Sequence, residues 1–94
     1  MSANEQKTAC FWREDIESLA FRPAGHEGLC VVHRRAFRTL LGFEPTPENC
    51  LAYFEQEIIL FQRTATEKIE RKKIDLKTAF HLNSRDIRRA IKSS

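Results

Sequence analysis

Three cysteines and three histidines have the widest chemical reach in this chain. The tightest fragment among them is Cys30-x-x-His33. A structural zinc site draws on four such ligands, usually as two close pairs, and here the second pair is missing, because Cys10, His26, Cys50 and His81 stand singly. Leu29-Cys30-Val31-Val32-His33 also reads as a strand, on which positions three apart face opposite sides. The residues therefore predict a packed Cys30 beside a capping or exposed His33, with no metal and no cofactor.

Nucleophilic catalysis meets the same objection. A reactive thiolate needs an electropositive, accessible setting, whereas Leu29, Val31 and Val32 surround Cys30 with hydrocarbon. No glycine-rich phosphate loop, nucleophile elbow or metalloprotease helix motif occurs. Glu55 and Glu57, two apart, cannot share a helix face, and Glu14-Asp15 reads as a turn before a strand. No catalytic residue is assigned and the chain is expected not to be an enzyme. Three cysteines without short spacings are expected to be free thiols.

Charge gives a second kind of candidate. Residues 1–62 carry 6 basic and 9 acidic side chains, and residues 63–94 carry 10 basic and 4 acidic ones. Lys68, Arg71, Lys72 and Lys73 close one predicted helix, and Arg85, Arg88, Arg89 and Lys92 lie on another. Brought together, the two groups would make a polyanion-binding surface for nucleic acid. Against this, cations are favoured at helix C-termini by the dipole. Glu67 and Glu70 are also spaced to pair with Arg71 and Lys73, and few aromatic residues accompany the stretch for base stacking.

These residues need elements to hold them. At 94 residues, 41% hydrophobic and 31% charged, with net charge +3, the composition is that of one globular domain rather than a disordered or membrane-embedded chain. Residues 1–9 read as a disordered polar tail and 10–92 as a single α+β domain. The longest run of large apolar residues, Ile58-Ile59-Leu60-Phe61, is far short of a membrane span. The first eight residues carry no apolar signal segment, so a cytoplasmic protein with no membrane partner is expected.

Period-two placement of Leu19 and Phe21 predicts a strand over Ile16–Arg22, closed by Pro23. A loose Pro/Gly connection leads to a second strand, Leu29–His33. Ala36, Phe37, Leu40 and Leu41 then recur at helical spacing, and Gly42 stands where a C-cap needs positive φ. Thr46 is placed to cap, and Pro47 to begin, a helix. The apolar series Leu51, Phe54, Ile58, Phe61, Ala65 and Ile69 predicts that it runs unbroken over roughly 47–73. Thr78–Leu82 reads as a third strand, and Ser84 as the cap of a last helix carrying Ile87, Ala90 and Ile91. The expected fold is a three-stranded antiparallel sheet with one long and two short helices, in the order β-β-α-α-β-α.

Leu19-Ala20-Phe21, Cys30-Val31-Val32 before Arg34-Arg35-Ala36-Phe37, the long helix with Phe54, Ile58 and Ala65, and the closing Phe80-His81-Leu82-Asn83-Ser84-Arg85-Asp86-Ile87 form a pattern. On it the chain resembles domain-of-unknown-function family 1488, a group of small bacterial proteins. The resemblance implies a compact α+β fold with helices on a small antiparallel sheet, and it carries no catalytic residues. Where the family pattern has a hydroxyl and then an acid after the second strand, this chain has His33 and Arg35.

The long helix holds more apolar residues than one stripe can hide. Leu51, Tyr53, Phe54, Ile58, Ile59, Leu60 and Phe61 span most of its circumference. Either the fold surrounds this helix or a second molecule covers one side. Tyr53, Ile59 and Leu60 are accordingly the candidate self-association residues, and a homo-oligomer or another protein the expected partner.

Overall fold

Cys10-Phe11-Trp12-Arg13 alternates, and it forms the first strand, β1 (Cys10–Arg13), with Cys10 and Trp12 turned to the core and Phe11 to solvent. The computed structural model describes residues 9–92. The tail reading for residues 1–9 thus lies almost wholly outside the described residues; Ala9 alone is described, and it is exposed. A single 3-10 turn, Glu14–Ile16, ends at Glu17 in the left-handed region (φ 48°) and reverses the chain. The second strand, β2 (Ser18–Phe21), then pairs antiparallel with β1, Trp12 opposite Leu19.

The third strand, β3 (Cys30–His33), is antiparallel to β2, and the fourth, β4 (Phe80–Leu82), is parallel to β3. The sheet order is β1-β2-β3-β4. The α+β class expected from sequence holds, whereas the expected three antiparallel strands are corrected to four in a mixed sheet. Two physical reasons account for this. β1 is a four-residue strand upstream of the stretch read as the first one. The helical connection after β3 carries the chain back to the edge from which β3 started, so β4 must run parallel.

After β3 comes α1 (Arg34–Leu41), ended by Gly42 at φ 85°. His33 caps it, its Nδ1 accepting from the Arg35 backbone N–H at 3.0 Å. Thr46 caps α2 (Pro47–Gln56) in a reciprocal box with Asn49, at 3.1 and 3.0 Å. The expected unbroken helix over 47–73 is corrected here, because Glu57 leaves helical geometry (φ −113°, ψ 35°) and a separate α3 (Ile58–Lys72) follows.

No Gly or Pro causes that break; space and packing do. A straight helix of that length would reach about 39 Å, longer than any dimension of the 33 × 32 × 29 Å molecule. Folding it at Glu57 brings the Phe54 and Phe61 rings to 5.1 Å, whereas seven residues of straight helix rise ~10.5 Å. The expected long helix is therefore two, giving four α-helices among the described residues.

The last helix, α4 (Ser84–Lys92), follows β4 directly. Its cap is Asn83 rather than Ser84. Asn83 Oδ1 accepts from the Asp86 N–H at 2.9 Å, and Asp86 Oδ2 accepts from the Asn83 N–H at 3.0 Å. Both residue types can cap; Asp86, three positions after Asn83, completes the box for Asn83 alone.

The core lies on one face of the sheet. Leu19, Phe21, Cys30, Val32 and Leu82 meet Phe37, Phe54, Phe61, Ala65 and Ile87 from the helices. Burying four phenylalanines completely supplies much of the hydrophobic stabilisation of so small a chain. Alternation sends Phe11, Arg13, Ser18, Ala20, Val31, His33 and His81 to the opposite face.

Candidate interaction surfaces

Two loops and two elements build an apolar groove at one end of the sheet. The 23–28 loop is fastened from both sides. Glu27 and Gly28 N–H groups donate to the Leu76 carbonyl at 3.0 and 3.1 Å, and the Ala24 N–H donates to Gln62 Oε1 at 2.8 Å. His26 is buried in the same seam, its Nε2 2.9 Å from the Thr78 carbonyl and its ring edge-on to Phe80. A Cβ at Gly28 would fall 2.3 Å from the Thr78 carbonyl oxygen, so the seam closes only around glycine.

With the seam closed, the starts of β1 and α3 meet the two loops around a groove of about 1040 Å³. Three of the large hydrophobic residues left exposed line it together: Phe11 (45%), Ile59 (77%) and Leu76 (47%). Ile58, Leu29 and Pro23 extend the apolar lining, while exposed Arg22 and Glu27 provide one charge of each sign.

Of the three self-association candidates read from sequence, Ile59 lies in this groove. Tyr53 and Leu60 are half-buried against the core instead, with the Tyr53 ring edge-on to Phe37 and Phe61 at 6.2 and 6.0 Å. Burial and the nearby Glu57 charge push the Tyr53 phenol pKa up. Phe11 and Leu76 escaped the sequence reading. The alternation of residues 10–13 could have placed Phe11 outward; Leu76 lies in a loop and has no periodic signal.

The eight basic candidates divide. Lys68 is withdrawn from solvent, with 13% of its side chain exposed, and donates to the His81 carbonyl and to Asp86 Oδ2, each at 2.8 Å. Arg71 reaches Asp86 Oδ1 at 3.3 Å rather than the Glu67 expected from helical spacing. Burial acts to raise the Asp86 pKa. The Lys68 hydrogen bond, the Asn83 N–H and the charges of Lys68 and Arg71 outweigh it, so the carboxyl sits below its ordinary range.

Lys72 and Lys73 end α3, with Lys73 in the left-handed C-cap conformation (φ 53°). Arg85, Arg88, Arg89 and Lys92 form an exposed stripe along α4, at i, i+3, i+4 and i+7. Among the described residues, no carboxylate makes an ion pair with any of these four. The structure thus puts the two basic groups on packed neighbouring helices but uses Lys68 and Arg71 internally.

Burial holds Cys30 and Cys50 in unreactive settings and leaves Cys10 partly open. Burial pushes the Cys30 pKa far up and that of Cys50 up to about 11, and half-buried Cys10 is also raised, by burial and by the Glu55 charge. Cys30 and His33 lie on opposite faces of β3. Among the described residues, no group of three or more His, Cys, Asp or Glu side chains is arranged to hold a metal ion. No described helix is long and apolar enough to cross a membrane.

Neither a protein-family model, nor a curated protein, nor a solved structure matches this chain.

Proposed function

We propose that this chain is a non-enzymatic interaction module that pairs with a second copy of itself through the groove lined by Phe11, Ile59 and Leu76. We further propose a cytoplasmic bacterial protein of domain-of-unknown-function family 1488, following the sequence pattern. The observation that carries the self-association reading is the convergence of three exposed large hydrophobic side chains on one groove. Large exposed apolar side chains gathered on one groove are a surface that a partner can cover.

Two features favour a second copy as the occupant. Arg22 and Glu27 both line the groove and are both exposed. Across a two-fold axis, Arg22 of one molecule meets Glu27 of the other and the reverse, so the surface complements itself. β1 is also the sheet's edge strand and starts at the groove. An edge strand offers backbone groups to an identical strand running antiparallel.

Sedimentation velocity across micromolar concentrations tests this. Wild-type protein is expected to sediment as a dimer, and Ile59→Glu as a folded monomer with an unchanged circular dichroism spectrum. A wild-type monomer throughout, or a dimer unaffected by Ile59→Glu, would overturn the reading.

The exposed Arg85–Arg88–Arg89–Lys92 stripe favours nucleic-acid binding as a second reading. It predicts affinity for a mixed-sequence duplex that falls steeply between about 50 and 200 mM salt. Unchanged affinity after charge reversal of Arg88 and Arg89 would eliminate it.

A further inference from the structure

A second cavity, of about 510 Å³, shares no lining residue with the groove described above. It follows from topology. β3 and β4 run parallel and each passes straight into a helix, so their carboxyl ends open side by side. The cavity opens beside those ends, lined by His33 and Arg35 at the end of one strand and by Leu82, Asn83 and Ser84 at the end of the other. The volume also falls in the range of small-molecule sites, about 300–1,000 Å³.

The lining has a consistent chemistry. Its floor is apolar, with Val31 and Ile16 beside Ala36, and no carboxylate residue lines it. Two of its polar side chains are particularly suited to an anion. Arg35 is exposed and makes no ion pair among the described residues, so its guanidinium fork is available. His33 accepts the Arg35 backbone N–H at Nδ1 (3.0 Å). An imidazole accepting at Nδ1 carries its proton on Nε2, so the ring presents an N–H donor in a fixed orientation.

We infer that this cavity binds a small monocarboxylate with an apolar body, an aryl or branched-alkyl acid. The carboxylate takes the Arg35 fork and the His33 Nε2–H, and the body covers Val31 and Ile16. Inorganic phosphate fits less well, since it leaves that floor wet and meets a single guanidinium.

Benzoate is the probe, titrated into isotope-labelled protein and followed by the amide signals of Val31, Ala36 and Ser84. Benzamide and inorganic phosphate are the controls. Saturable benzoate shifts at these amides are expected, with benzamide and phosphate each at least about tenfold weaker, because a charged bidentate contact and an apolar contact are both required. Arg35→Gln is expected to weaken benzoate about tenfold at an unchanged melting temperature. His33→Asn, which keeps an acceptor for the Arg35 N–H but replaces the ring Nε2–H with a shorter-reaching amide donor, is expected to weaken it as well. No saturable benzoate shift, equal binding of either control, or undiminished binding by Arg35→Gln overturns the proposal.

Discussion

Lys68 Nζ stands 2.8 Å from Asp86 Oδ2 and fastens α3 to α4 with both side chains largely closed from water. Asp86 also completes the Asn83 capping box and receives Arg71, so one carboxylate starts a helix and joins it to its neighbour. By contrast, Arg13–Asp15 and Arg34–Glu17, at 2.7 and 2.6 Å, are exposed pairs and contribute little.

Asp86→Asn is expected to cost about 3 kcal/mol at neutral pH, because it leaves Lys68 enclosed beside a neutral amide. The wild-type carboxyl sits below its ordinary range. Its contribution is therefore complete above the unfolded-state value of about 3.9 and is lost as pH falls through the folded value. Urea unfolding at pH 7 and below pH 3 checks this. The gap between wild type and Asp86→Asn should narrow in acid; an equal gap at both pH values contradicts the linkage.

Gly28→Ala is expected to destabilise the chain by about 1–3 kcal/mol, as overpacking does. The new methyl would meet the Thr78 carbonyl and the Ala79 nitrogen, both backbone atoms that cannot rotate away. For a domain this small, that is a fall of about 10 °C in melting temperature, readable by circular dichroism. An unchanged transition would mean that the 23–28 and 75–79 loops are less tightly joined than their hydrogen bonds indicate.

Thiol reactivity separates the three cysteines. Cys10, half-buried on the edge strand, should react with an aromatic disulfide reagent in the folded protein. Cys30 and Cys50 should wait for unfolding, since only the thiolate attacks and burial suppresses it. Mass spectrometry of the labelled peptides over time reads the order. Early labelling of Cys30 would contradict the packing of β3.

Local signals carried much of the fold. The alternation of Leu19 and Phe21, the Gly42 stop of α1 and the Thr46-Pro47 start of α2 all act within a few residues, and each is found where the sequence puts it. Long-range pairings left no such trace. Phe80–Leu82 lies beside β3 because the helical connection returns it there, and nothing in those three residues specifies parallel pairing. The break at Glu57 is equally silent, being set by the room available and by Phe54 against Phe61.

The site divides in the same way. Ile59 was legible because the apolar residues of its helix exceed one face. Phe11 and Leu76 join it only through tertiary structure, the first on a short edge strand and the second on a loop held by Glu27 and Gly28. Among the basic residues, sequence spacing pairs Arg71 with Glu67, but packing of α4 on α3 supplies Asp86 instead.

The central claim is that two copies of this chain meet through the Phe11–Ile59–Leu76 face. Isotope-filtered nuclear Overhauser measurements on an equal mixture of labelled and unlabelled protein address it directly. The account predicts intermolecular contacts from the Ile59 methyl groups to the Phe11 ring or the Leu76 methyl groups of the second molecule. No intermolecular contact at millimolar concentration, or contacts confined to the α4 stripe, would contradict it.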